Sequence, residues 1–171
     1  MREEKLNSLV GRHSRFQRKQ LKESAALSIV VVNWRSGRYV QRCLLSIDRF
    51  LRRTTIAYEV IVVDNTPWDA ELAGLDNHPA VRIVRCASNL GFARACNSGA
   101  KLARGELLLF LNPDTELVDA SILTACAWLL QNPSAGVVGC RQVGVRGDFQ
   151  ENSIQRFPTI LNQLIDSQLA N

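Results

Sequence analysis

The five cysteines of this 171-residue chain (Cys43, Cys86, Cys96, Cys126, Cys140) are odd in number, widely spaced and nowhere arranged as C-x-x-C. That pattern argues against a disulfide framework and a zinc site, and free thiols in a reducing compartment are the simplest account. Long apolar runs are also missing. Segments such as Ile29 to Val32 are far too short to cross a bilayer, and the basic start is followed by polar sequence rather than the apolar segment of a signal peptide. Neither G-x-G-x-x-G nor G-x-x-x-x-G-K occurs, which sets aside dinucleotide-dependent oxidoreductases and phosphate-loop NTPases. Val32-Asn33-Trp34-Arg35-Ser36-Gly37 is likewise not the G-x-G-x-R opening of a nucleotidyltransferase that makes sugar nucleotides.

Charge is unevenly placed. The formal net charge is +5, and residues 1 to 24 hold seven Lys or Arg against three Glu, a surplus of four. The remainder is almost neutral, so the basic pI does not describe a nucleic-acid groove on a folded body. The leader reads as a solvated, flexible segment, with attraction to an anionic membrane surface as its functional reading. Residues 25 to 171, with 46% apolar content over the whole chain, suffice for one domain with a sizeable core.

Leu27 to Asn33 is a dense β-branched run, the signature of a strand buried on both faces. From Arg38 to Arg53 the apolar residues Val40, Leu44, Ile47 and Leu51 fall at helical spacing with arginines opposite. Tyr58 to Asp64 reads as a second strand, Trp68 to Leu75 as a short helix, Val81 to Cys86 as a third strand and Gly91 to Arg104 as a helix. Glu106 to Leu111 follows as a fourth strand, Asp119 to Gln131 as a helix with Asp119 at its N-cap, and Ala135 to Cys140 as a fifth strand. Such alternation predicts an α/β fold, a mostly parallel sheet with helices on both faces.

Ligands of such sheets sit beyond the carboxyl ends of the strands. Those ends read Asn33-Trp34, Asp64-Asn65, Ser88-Asn89 and Asn112-Pro113-Asp114. Asn and Asp favour turns for local reasons, yet four such ends share one rim. Leu107 to Leu111 delivers Asp114 at its tip, where one carboxylate suits a Mg²⁺ ion that completes its shell with water and phosphate oxygens. Asn89-Leu90-Gly91-Phe92-Ala93-Arg94-Ala95-Cys96-Asn97 opens a helix whose free N–H groups, with Arg94 nearby, can attract a diphosphate. Phe92, Cys96, Gly99 and Ala103 form its sheet-facing stripe. Asp64 can accept hydrogen bonds from a base N–H or from ribose hydroxyls.

In this order and spacing, V-V-N-W, V-V-D-N, N-L-G-F-A-R-A-C-N-S-G and L-N-P-D-T resemble the family 2 glycosyltransferases, most of all their rhamnosyltransferase-like branch. The resemblance runs from about residue 27 to 160 and includes Arg156-Phe157-Pro158-Thr159. It implies a three-layer, Rossmann-like GT-A fold, a nucleoside-diphosphate sugar donor, Mg²⁺ or Mn²⁺, and inversion at the anomeric carbon. By position, Asp64 would bind the base and Asn33 would help line its pocket with Asn65. Asn89, Gly91, Arg94 and Asn97 would lie against the nucleotide and phosphates. Asn112 stands where the first acid of a D-x-D motif is expected, which leaves Asp114 to hold the metal. Rhamnose is the donor sugar by analogy, with uridine- and guanosine-diphosphate sugars left open.

Inverting transfer also needs a general base for the acceptor hydroxyl, which the family carries well beyond the metal motif. Glu151 and Asp166 are the only acids after Asp148, and neither has the expected context. The sequence is therefore read as a C-terminally truncated donor-binding part, with a saccharide or lipid-linked acceptor. The alternative is a non-catalytic nucleotide-sugar-binding remnant or scaffold. The expected location is cytoplasmic, with peripheral contact at the inner face of the cell membrane through the leader.

Overall fold

The computed structural model describes residues 26–144 and 146–148. The basic leader, Glu151, Asp166 and the Arg156 to Thr159 segment lie outside the described residues. Two compact units divide the chain, Met1–Ala127 and Trp128–Asn171.

The first unit is built on a four-stranded parallel sheet of order β3-β2-β1-β4. Its strands are β1 (Leu27–Asn33), β2 (Tyr58–Asp64), β3 (Val81–Arg85) and β4 (Leu107–Leu111). Every residue of β1 is buried and so is all of β2 after Tyr58, because the two central strands are covered on both faces. In β4 each residue alternates between half-buried and exposed, as an outer strand should.

Helix α1 (Gly37–Leu51) buries Val40, Cys43, Leu44, Ile47 and Leu51 against Ile29, Val31, Val60 and Val62. Residues Ile122, Leu123 and Cys126 of α3 (Ser121–Gln131) join the same cluster. Helix α2 (Phe92–Ala100) lies on the other face, where Ala95 packs with Val30, Val32, Ile61 and Val63. Glycine is required at 99, since a Cβ there would stand 2.5 Å from Cγ1 of Val30 and 3.1 Å from Cγ2 of Val63. Helices on both faces of a parallel sheet give the expected three layers.

Several boundaries differ from the sequence reading. Trp68 to Leu75 is not one helix but part of two 3₁₀ turns, Ala70–Leu72 and Leu75–Asn77, separated by Gly74 at φ 86°. A left-handed residue cannot continue a helix. Helix α2 ends at Ala100 because the chain must turn there, and the Arg104 N–H is caught by Oγ of Ser28 and Oε1 of Glu59 at 3.2 and 2.7 Å. Phe92 is exposed rather than part of the packing stripe, whose buried members are Ala95 and Gly99.

The fifth strand, expected at 135 to 140, does not form. Gly136 and Gly139 raise the entropic cost of ordering it, and Val137 is 88% exposed, so no burial offsets that cost. Asp119 does hold the start of α3, accepting the Ser121 N–H at 2.8 Å, and that bond keeps its carboxyl below the usual range. No helix among the described residues is long and apolar enough to cross a membrane.

Candidate functional site

The parallel register places Asn33 directly beside Asp64, and Asp64 beside Arg85, at the carboxyl ends of β1, β2 and β3. Asn33 and Asp64 are fully buried and Asn65 nearly so. All the ordinary bonding capacity of the Asn33 side chain is in use. Its Nδ2 donates to Oδ1 of Asp64 at 2.9 Å and to Oδ2 of Asp69 at 3.0 Å. Its Oδ1 accepts from the N–H and the Oγ–H of Ser36 at 3.1 and 2.9 Å. Asn33 therefore braces the rim and has no side-chain group left for a ligand in this conformation.

Asp64 is satisfied on one oxygen only. Oδ1 accepts from Asn33 and from the Thr66 N–H at 3.2 Å, whereas Oδ2 is buried without a partner among the described residues. A buried acceptor without a hydrogen bond costs about 1 to 3 kcal/mol. Such an orphan in an otherwise saturated net marks the place where an outside donor completes the structure.

The net continues across the sheet. Nδ2 of Asn65 donates to Oδ1 of Asn89 at 2.8 Å, Oδ1 of Asn65 accepts the Leu90 N–H, and Oδ1 of Asn89 also accepts the Gly91 N–H. These bonds fix the turn into α2. Gly91 sits at φ 79°, a left-handed conformation that favours glycine. No side chain among the described residues caps the first turn of α2, and residues 91–94 are exposed, in the electrostatic field of the helix N-terminus. Arg94 is exposed in that turn, and Asn97 is exposed about 7.5 Å further along the axis than Phe92.

Asn112 and Asp114 are exposed on the loop after β4. Helix α1 holds that loop from behind. Oγ of Ser46 accepts the Leu117 N–H at 2.9 Å and donates to the carbonyl of Cys43 at 2.7 Å, and Arg42 pairs with Glu116. The Cys43 thiol lies under the loop, 4.0 Å from the carbonyl of Asn112. Burial, helped by the negative charges of Glu116 and Asp114, pushes it up to about 12, so it is an inert packing group. Glu116 is paired and Asp119 is held by the Ser121 N–H, which leaves Asp114 as the carboxylate of this loop with neither an ion pair nor a hydrogen bond among the described residues. One free carboxylate beside an exposed amide oxygen is a sparse, hard donor set, compatible with an ion that keeps waters and takes phosphate oxygens. No group of three side chains able to hold a metal by themselves exists among the described residues.

The structure thus joins Asn33, Asp64, Asn65, Asn89 and Gly91 in one hydrogen-bonded net. Arg94, Asn97, Asn112 and Asp114 stand exposed outside it. Asp69 was missed from sequence, although it is the hub between β1 and α1. Its Oδ2 accepts from Asn33 and from the Gly37 N–H, and its Oδ1 from the Glu71 N–H. The available signal was Asp69 two residues before Glu71, the spacing of an Asx-turn. Trp34 and Trp68 are also exposed on this rim, with the guanidinium groups of Arg35 and Arg85 over their rings at 5.8 and 5.5 Å.

The chain is 34% identical over 112 residues to the O-antigen biosynthesis protein RfbC of Myxococcus xanthus, covering 63% of this chain and 9% of that one. It is 27% identical over 112 residues to an uncharacterized glycosyltransferase of Haemophilus influenzae, covering 66% and 37% respectively. The chain thus spans well under half the length of these curated relatives.

Among solved structures, TarS of S. aureus bound to UDP-GlcNAc superposes with a TM-score of 0.55 at 23% identity, over 63% of this chain and 32% of that one. The mannosyltransferase PcManGT of Pyrobaculum calidifontis, in complex with GDP-Man and Mn²⁺, gives 0.55 at 19% identity, over 67% and 38%. These likenesses establish the GT-A fold. Residues 28–170 match glycosyl transferase family 2, and the chain belongs to that family.

Proposed function

We propose that this chain forms the nucleotide-sugar-binding part of an inverting glycosyltransferase that passes a sugar to a saccharide or lipid-linked acceptor in cell-surface polysaccharide synthesis. The observation that carries this reading is the unpartnered Oδ2 of Asp64. A nucleobase N–H is the kind of donor that would complete it. Strand β1 separates β2 from β4, so Asp64 and the loop bearing Asp114 lie about two strand spacings, or 10 Å, apart. That gap leaves room for a ribose and phosphate between a base at Asp64 and a metal at Asp114.

In this mechanism Asp64 orients the base, the Asn65–Asn89 brace sets the turn into α2, and the α2 amides with Arg94 receive phosphate oxygens. Asp114, with Asn112 beside it, would hold Mg²⁺ or Mn²⁺. Such an ion would supply positive charge to a diphosphate leaving group. The name of the Myxococcus relative supports a role in polysaccharide synthesis, and TarS and PcManGT are recorded with UDP-GlcNAc and GDP-Man. Rhamnose from a deoxythymidine-diphosphate donor is the preferred sugar by resemblance of the motifs. We place the reaction at the cytoplasmic face of the membrane.

The test is Asp64→Asn. The amide keeps an acceptor for Asn33 and Thr66 and turns the orphan oxygen into a donor. Titration calorimetry with UDP, deoxythymidine diphosphate and GDP in the presence of Mn²⁺ should show one nucleotide bound by the parent chain and weakened about tenfold or more in the variant. Equal affinity in a folded variant would remove Asp64 from the base pocket.

A further inference from the structure

We propose that the amino-terminal pole of the sheet, the end opposite the nucleotide rim, is a docking surface for an anionic lipid bilayer. The end of α1 lies at that pole, because Oδ1 of Asp48 accepts the hydroxyl of Tyr58, the first residue of β2, at 2.8 Å. Arg49, Arg52 and Arg53 are all exposed there, and their three- and four-residue spacings put them on one side of the helix and its following turn. The end of α2 reaches the same pole, bringing exposed Lys101 and Arg104.

The local carboxylates offset part of this charge, since Glu59 pairs with Arg104 and Asp48 lies in the field of Arg52, while Arg49, Arg53 and Lys101 form no ion pair among the described residues. Asp48 is engaged by Tyr58 and, at 2.8 Å, by His78, and Glu59 is buried among Ser28 and Arg104. Glu106 is the exposed acid of residues 48–57 and 101–106. The first described residue, Ala26, lies at this pole as well. The Ala26 N–H donates to the carbonyl of Ala57, only four residues after Arg53, at 2.7 Å.

An anionic bilayer fits this arrangement better than a nucleic acid. Proteins that hold single-stranded nucleic acids combine positive charge with exposed aromatic rings for base stacking. The exposed rings Trp34, Trp68 and Phe92 stand at the opposite pole, after the carboxyl ends of the strands. A bilayer needs only basic side chains gathered at one end of the molecule. Docked in this way, the protein turns the nucleotide rim away from the lipid headgroups. This inference does not depend on the donor-site reading.

The experiment is co-sedimentation of the full chain with vesicles of phosphatidylcholine mixed with phosphatidylglycerol, against pure phosphatidylcholine, at low salt. The parent should bind the mixed vesicles and release them as salt is raised. The variant Arg49→Gln/Arg52→Gln/Arg53→Gln should partition on the order of 100-fold more weakly, and Lys101→Gln alone roughly fivefold. A charge-matched variant at the other pole, Arg35→Gln/Arg85→Gln/Arg94→Gln, should bind as the parent does. The proposal is overturned if the pole variants keep parental binding, if both triple variants lose it equally, or if the parent prefers a single-stranded oligonucleotide to the vesicles. Circular dichroism and nucleotide titration on the same samples separate loss of fold or of donor binding from loss of docking.

Discussion

Nδ2 of Asn33 donates to Oδ1 of Asp64 at 2.9 Å, across the same rung of β1 and β2. A buried amide thus spends its bonding capacity on holding a carboxylate whose other oxygen has no partner. Asn33→Ala should consequently act mainly on stability. It strands Asp64, Asp69 and Ser36, and at about 1 kcal/mol per hydrogen bond lost the cost should be about 2 to 4 kcal/mol. Urea denaturation checks this, and a loss below about 0.5 kcal/mol would contradict the saturated net.

The carboxylate on the β4 loop leads to a different expectation. Asp114→Ala should abolish the Mn²⁺ dependence of nucleotide binding and leave the melting temperature unchanged, because Asp114 is exposed. Equal metal-assisted binding by parent and variant in calorimetry would move the metal elsewhere.

Close approach at α2 can be tested without any ligand. Gly99→Ala should gain up to about 1 kcal/mol of helix propensity but force a Cβ to within 2.5 Å of Val30. Overpacking of this kind costs about 1 to 3 kcal/mol, so a net loss of stability is expected. A more stable variant in thermal melts would show that α2 can lift from the sheet at little cost.

At the amino-terminal pole, Asp48 gives a pH dependence. Burial pushes its carboxyl up, but hydrogen bonds from His78 and Tyr58 outweigh this and hold it below its ordinary value of 3.8. A carboxyl depressed by folding stabilises the native state above the unfolded value, and this contribution disappears as pH falls through the lower, folded value. The stability difference between the parent and Asp48→Asn should thus shrink as pH falls below about 4. Denaturation at a series of pH values decides it, and a difference that stays constant down to pH 2 would exclude the linkage.

The central strands were plain in the sequence because burial on both faces demands unbroken β-branched runs, and Leu27 to Asn33 and Tyr58 to Asp64 have them. Helix α1 was legible from its apolar period. Local pattern failed where tertiary burial decides. Ala135 to Cys140 looks like a strand, yet Val137 remains exposed and no ladder forms. At the rim, spacing indicated which strand ends carry polar groups but not which of their atoms are free. Asn33 looks like a ligand-facing residue until its four bonds are counted, and the importance of Asp69 depends on a fold-back between residues 33 and 69 that no local window contains.

The shared oxygen of Asn89 has a thermodynamic consequence. It accepts from both Asn65, next to Asp64, and Gly91, at the head of α2. Order imposed on the tip of β2 is thereby transmitted to the first amides of α2. A nucleoside and a free pyrophosphate, offered as separate fragments, should then raise one another's affinity by the same factor, as linkage between two sites demands. Cutting the bridge with Asn89→Ala should leave each fragment to bind as if the other were absent.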